Sequence, residues 1–354
     1  MVSTFLNMLQ NNKIIKEDID EIISLIKEDC KKLRNSRILV TGASGMLAKY
    51  IVLTLIELNK SILNNSLTIY LLSRHECSSI YGPSKNIKYI IQDVSEPLPN
   101  IKKLDYIIHA ASKAAPKIYL ANKIDTLKTN ILGLFNVLNL ATKDTKGILY
   151  FSSGEVYGLI NSSDKIKENK ICFTDHLSDR SSYAEAKKTG ETICINYYNE
   201  KKYPINIVRL FHTFGPGLNV NDGRVFSDFI KDAVQKKEII IKGDPDVVRP
   251  LLYIKDATIM FFKILLSKKS GEIYNIANPK NLITVKEMAK LTSEAVYEVT
   301  KKKIPIKYIK ANLRHHKGAE KIVKPDIAKF IKEFKYVPNT TAKKAFLRTI
   351  ASYY

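Results

Sequence analysis

The most constraining feature of this chain is the turn Thr41-Gly42-Ala43-Ser44-Gly45-Met46-Leu47-Ala48. It follows the β-branched run at 38–40 and opens a helix-forming stretch that extends through Ile56 and beyond. Glycines at this spacing permit a tight turn and close backbone approach, while a helix start offers unpaired N–H groups and a positive dipole to a pyrophosphate. The last glycine of the pattern is replaced by Ala48, at a position that serves helix packing and tolerates a methyl group. An ordinary glycine turn needs no such order of strand, loop and helix. The loop therefore predicts a dinucleotide site built from Gly42, Ser44, Gly45, Met46 and Leu47.

The rest of the chain repeats the strand–helix alternation. Short apolar runs at 67–72, 87–91, 106–108, 148–151 and 205–208 are separated by longer amphipathic stretches. This pattern predicts an α/β fold with a doubly wound, Rossmann-type parallel sheet and a smaller C-terminal lobe. We assign 1–36 to a helical extension, with Ile15, Ile19, Ile22, Ile23 and Ile26 at helical spacing. The dinucleotide-binding part is expected over 37–210, with 248–280 returning to it, and the substrate lobe over 211–247 and 281–354. Helices are expected near 285–300 and 326–334.

Composition narrows the function classes. No stretch approaches 18 uninterrupted apolar residues and no leader pattern opens the chain, so a cytoplasmic protein without membrane attachment is expected. Cys30, Cys77, Cys172 and Cys194 are scattered without metal spacing, so free thiols and no metal site are expected. The formal net charge of +22 raises the question of nucleic acid, but the lysines are spread evenly rather than gathered in a stripe with interleaved aromatics. Nucleic-acid binding is not expected, and the positive field suits anionic nucleotides instead.

The strand ends carry the remaining cofactor candidates. After the second strand stands Ser73-Arg74, where a free ribose 2′-hydroxyl would call for Asp or Glu. A guanidinium and a hydroxyl suit a 2′-phosphate, which favours NADP(H) over NAD(H), the alternative being that Arg74 is a solvated loop charge. Asp93-Val94 ends the third strand beside the expected adenine position, and Ala110-Ala111-Ser112 ends the fourth with small residues. His109 is expected to be packed rather than catalytic.

The fifth strand ends in Ser153-Gly154-Glu155, and Tyr183 and Lys187 follow four residues apart on one helix face. An ammonium beside a phenol favours the phenolate, so Tyr183 can exchange a proton with a hydroxyl as hydride moves at its carbon. Ser153 would hold the same oxygen, and Lys187 would also bond the nicotinamide ribose. Glu155 is either an acid/base or a polar strand-end residue.

These residues together resemble the extended short-chain dehydrogenase/reductase family of epimerases, dehydratases, decarboxylases and reductases that modify nucleotide-linked sugars. The match runs from about Arg37 to the C-terminus. Ala114-Ala115-Pro116 with Tyr119, Thr126-Leu127-Lys128-Thr129-Asn130, Gly215-Pro216, Asn221-Asp222-Gly223-Arg224-Val225 and Lys324-Pro325-Asp326-Ile327 are most similar to UDP-glucuronate decarboxylases. The resemblance implies that Asn130 supports the active-site helix, and that His212 stands where Asn often touches the sugar. It also implies that Arg224, Val225 and Phe226 border the nucleotide, that Arg249 meets the diphosphate or sugar, and that helices at 127–141 and 183–198 pair with a second subunit in a homodimer.

Two departures bear on the reaction. The decarboxylases carry Thr-Ser-Glu and the dehydratases Thr-Asp-Glu where this chain has Ser153-Gly154-Glu155, and Gly154 has no side chain to move a proton. Ser73-Arg74 also replaces an acidic residue that suits a retained NAD. The favoured expectation is an NADPH-dependent reductase of a keto sugar nucleotide, for surface polysaccharide precursors. Decarboxylation, 4,6-dehydration and epimerisation are the alternatives, with a non-catalytic NADP(H)-binding module as a reading of another class.

Overall fold

The structure is a computed structural model that describes residues 12–101, 103–158, 165–171, 173–235, 237–309 and 322–354. Cys172 lies outside the described residues; Cys30, Cys77 and Cys194 are buried free thiols. Six strands, β1 (Arg37–Thr41), β2 (Thr68–Ser73), β3 (Ile87–Ile91), β4 (Tyr106–His109), β5 (Gly147–Ser153) and β6 (Ile205–Leu210), join a seventh at Ile273–Ile276. All pair in parallel, in the order Ile273–Ile276, β6, β5, β4, β1, β2, β3. The order reverses between β1 and β4, where Thr41 stands opposite His109. A crevice at the carboxyl ends of strands at such a reversal is where open α/β sheets bind ligands.

Strand periodicity explains the layers. Ile38 and Val40 of β1 enter one apolar core and Leu39 enters the other, because alternate side chains point to opposite faces. On the first face pack the helices Lys13–Cys30, Met46–Ser61 and Ile254–Leu265; on the second pack Lys123–Leu138 and Ser181–Lys201. Both faces are covered, so β5 is buried along its whole length. No helix among the described residues is long and apolar enough to cross a membrane.

The N-terminal stretch is a working part of this layer. Its helix buries Ile15, Ile19, Ile22 and Ile26, while Ile23 is only partly buried. The helix expected at 127–141 runs instead over Lys123–Leu138: Leu140 and Ala141 leave it through turns that bond to Val137 and Leu138. Segment 248–280 supplies the Ile254–Leu265 helix and the seventh strand. The remaining C-terminal elements include helices Val225–Val234, Val285–Thr300 and Ala342–Ala351, with the parallel pair Ile239–Lys242 and Ile306–Ile309. Val285–Thr300 begins where expected because Thr284 and Glu287 form a reciprocal capping box.

Candidate active site

At the end of β1 the chain turns at Gly42 with φ +68°, and a Cβ there would lie 2.8 Å from the backbone of Ala111. Only glycine fits both the conformation and the gap. Gly45 caps the Met46–Ser61 helix without any side-chain bond, so the first N–H groups of that helix have no side-chain partner. Ser44 is exposed at the loop tip, Met46 and Leu47 lean on the core, and Ala48 is buried as a packing residue. An uncapped helix start behind a glycine that touches the neighbouring strand is what a dinucleotide pyrophosphate requires.

The other strand ends surround this loop. Ser73 is buried and donates its hydroxyl to the carbonyl of His75, whereas Arg74 is exposed. Burial pushes the Asp93 carboxyl up, but the amide and hydroxyl of Ser95 and the charges of Arg74 and Lys113 outweigh it and hold the group below its ordinary range. Val94 packs over Gly133 in the core rather than facing outward. Ala111 donates its amide to Thr41 Oγ1 at 3.1 Å, Ser112 donates to Asn130 Oδ1 at 2.9 Å, and Asn130 is anchored on the Thr126 carbonyl at 2.8 Å. Ala110 is partly buried against the core. His109 is packed as expected, but its partner is the Thr41 hydroxyl at 2.9 Å, with its ring stacked on Tyr150.

Ser153, Tyr183 and Lys187 are brought together from β5 and the Ser181–Lys201 helix. The Ser153 and Ser112 hydroxyls lie close enough to the Tyr183 hydroxyl to favour its ionised form, and its ring stacks on Tyr119 at 5.0 Å and 6°. Lys187 lies 5.9 Å from the Tyr183 ring centroid and donates to the Phe151 carbonyl at 2.6 Å. Its helix is locked beneath it by the buried Glu191–Arg209 pair at 2.7 Å. Burial lowers Lys187 to about 7, so its charge is only partly held at neutral pH. Tyr183 is pushed up to about 12 by burial and by Glu155, against the pull of Ser153, Arg224 and Ser112, and it rests as a phenol.

Beyond the tyrosine, Glu155 accepts from Arg180 at 2.8 Å and from the Tyr119 hydroxyl at 3.4 Å. A Cβ on Gly154 would lie 2.7 Å from the Phe211 ring, so the phenyl fills the space a side chain at 154 would need. His212 packs edge-on to Phe226, its Nδ1 is buried without a partner, and burial with the nearby Arg249, Arg224 and Arg180 holds it at about 3. Arg224 reaches the Ala114 carbonyl at 3.3 Å and Asp222 at 3.6 Å, just ahead of the helix that Val225 opens. Phe226 is sealed in the core against Phe214, so it backs His212 rather than lining the crevice. Burial lowers the Arg249 guanidinium, which also feels Arg180.

Two residues escaped the sequence reading. Arg180, one helical turn before Tyr183, was detectable from its i,i+3 spacing. Phe211 left no local signal, because only tertiary packing sets it against Gly154.

Comparisons with known proteins show the family and the fold. Residues 38–277 match the model of the NAD dependent epimerase/dehydratase family. UDP-glucuronic acid decarboxylase 6 of Arabidopsis thaliana is 31% identical over 277 residues, covering 78% of this chain and 77% of that protein. UDP-glucuronic acid decarboxylase 1 of Xenopus tropicalis is 29% identical over 319 residues, covering 82% and 73%. The solved structure of UDP-glucuronic acid 4-epimerase from Bacillus cereus, with UDP-glucuronic acid and NAD, superposes with a TM-score of 0.72 at 20% identity, covering 90% of this chain and 98% of that one. The dTDP-glucose 4,6-dehydratase of Streptomyces venezuelae superposes at 0.75 with 18% identity, covering 90% and 96%.

The chain belongs to the NAD dependent epimerase/dehydratase family, enzymes of the extended short-chain dehydrogenase/reductase type that use a nicotinamide cofactor and act on nucleotide-linked sugars.

Proposed function

We propose that this enzyme reduces a keto group on a nucleotide-linked sugar, with NADPH consumed in each turnover. The observation that carries the reading is Phe211 against Gly154: where the dehydratase and decarboxylase patterns place an acid or a hydroxyl this chain has no side chain, and the Phe211 ring stands where its Cβ would lie. The carbon served by Ser153 and Tyr183 is then the one at which this chain's side chains best support chemistry.

Gly42, Ser44, Gly45, Met46 and Leu47 hold the pyrophosphate, Ala110, Ala111, Ser112 and Asn130 border the cofactor, and Arg74 meets the 2′-phosphate. Asp93 faces the adenine, with Val94 packing behind it; Ser73 shapes the strand end through its bond to His75. The bound cofactor supplies a hydride. Tyr183, resting as a phenol, gives its proton to the oxygen that receives negative charge, and Ser153 holds that oxygen. Lys187 favours the phenolate left behind once it carries its charge. Arg224, Val225 and Arg249 border the nucleotide and diphosphate, His212 faces the sugar with Phe226 behind it, and Glu155 stands beside Tyr183. Two copies of the chain pair through the Lys123–Leu138 helix, and the enzyme works in the cytoplasm on precursors of surface polysaccharide.

A panel of UDP-, GDP-, CDP- and dTDP-linked keto sugars, followed by mass spectrometry with NADPH or NADH, tests this reading. NADPH oxidised mole for mole with product is the expected result. Many turnovers without added cofactor would show internal recycling, and loss of carbon dioxide from UDP-glucuronic acid would establish decarboxylation, the second reading, which Glu155 beside Tyr183 favours.

A further inference from the structure

We propose that Arg180 is a positioning residue for Tyr183: by pairing with Glu155 it cancels the carboxylate charge that opposes release of the phenolic proton. The inference rests on Tyr183 being the proton-transferring group of the proposed function.

Four contacts build the arrangement. Arg180 Nη2 donates to Glu155 Oε1 at 2.8 Å. The same guanidinium stands 5.6 Å over the ring of Tyr119. Tyr119 donates to that same Glu155 oxygen at 3.4 Å, and its ring lies flat on Tyr183 at 5.0 Å. The cation, the carboxylate and the phenol are thus joined through one aromatic plate, itself fully buried. The groups that face Tyr183 come from several elements. Ser153, Glu155 and Tyr150 come from β5 and its end, Ser112 from the end of β4, Tyr119 from the Pro116–Ala121 helix, Arg224 from ahead of Val225–Val234, and Lys187 from its own helix. Among them Glu155 is the one anion. Left unpaired, it would push proton release from Tyr183 to still higher pH. The Arg180–Glu155 pair is half-exposed in the cofactor-free chain, and a nucleotide sugar over the crevice would remove the water that screens it.

The effect is measured without turnover. The chain has 19 tyrosines, so the phenolate absorbance of the Tyr183→Phe variant is subtracted from that of each other variant through an alkaline titration of the cofactor-free protein. Arg180→Gln is expected to lower the phenolate fraction of Tyr183 at a given pH about tenfold, a displacement of about one pH unit. Glu155→Gln is expected to raise it. The double variant is expected to match Glu155→Gln alone, because the arginine acts through the carboxylate, and Arg180→Lys, which keeps the charge, is expected to restore the native curve. An unmoved curve in Arg180→Gln overturns the inference, as does a double variant that still shows the arginine's effect or a pure loss of sugar-nucleotide affinity. Tyr183→Phe that retains full turnover would sink the functional reading instead, leaving the titration as a separate result.

Discussion

Tyr183 and Lys187 share a helix, and the proposed function gives them different work that substitutions should separate. Tyr183→Phe removes only a hydroxyl while keeping the stack on Tyr119, so turnover should fall roughly a hundred- to ten-thousand-fold with cofactor affinity unchanged. Lys187→Ala removes a buried cation, and both the rate and the affinity for cofactor should drop; calorimetry of NADPH binding beside steady-state kinetics distinguishes the two patterns. Gly154 behaves in the opposite way, because adding atoms is what harms it. Gly154→Asp drives a Cβ to 2.7 Å from the Phe211 ring and should cost about 1–3 kcal/mol without creating dehydration or decarboxylation. Adding Phe211→Leu to that variant should recover part of the loss in denaturant midpoint, and full stability of Gly154→Asp alone would contradict the steric reading.

The N-terminal helix shows how an element outside the βα alternation becomes part of the fold. Asp18 on Lys13–Cys30 is buried, accepts from the Tyr50 and Tyr253 hydroxyls at 2.8 and 2.6 Å, and pairs with Arg348 of the C-terminal helix at 2.8 Å. Arg348 also reaches Glu17 and the carbonyl of Ile14, and Lys255 pairs with Glu21. Burial raises the Asp18 carboxyl, and its hydroxyl and guanidinium partners offset this only in part. Removing one partner of a buried pair leaves the other uncompensated, so Arg348→Met should destabilise the chain by about 3 kcal/mol, read as a lower denaturant midpoint. The apolar spacing of the isoleucines was legible in the sequence and predicted this helix. Its attachment was not, because Asp18 and Arg348 stand 330 positions apart and neither carries a local sign of burial.

Across the molecule, two properties follow from what the fold covers and what it leaves open. Ile124, Leu127, Leu132 and Phe135 of Lys123–Leu138 are exposed, together with Ile118 and Leu120 of the preceding helix, whereas Ile193 of Ser181–Lys201 faces the core. An apolar patch of this kind suits pairing with a second copy, so light scattering at micromolar concentration should give a dimer mass, and Ile124→Glu with Phe135→Glu should give a monomer. Stability should also depend on pH through His109, which burial and Lys187 depress to about 3 from an ordinary 6.5. A depressed group contributes stability that is present above pH 6.5 and lost as pH falls toward 3, because the unfolded chain takes up the proton that the folded chain refuses. The slope is up to about 1.4 kcal/mol per pH unit, and denaturant midpoints of His109→Gln should fall less steeply between pH 6.5 and 4 than those of the native chain. Periodicity and glycine spacing were enough to reveal the parallel sheet, the glycine turn after its first strand and the shared helix of Tyr183 and Lys187, since strand alternation, a left-handed turn and i,i+4 spacing are all local properties of the chain. The tertiary structure alone decided that Phe211 closes the space at Gly154, that Ser73 bonds to the His75 carbonyl, and that burial raises Tyr183 above its ordinary range. Those outcomes depend on burial and on contacts between distant segments, and neither is written into the residues on either side of a motif.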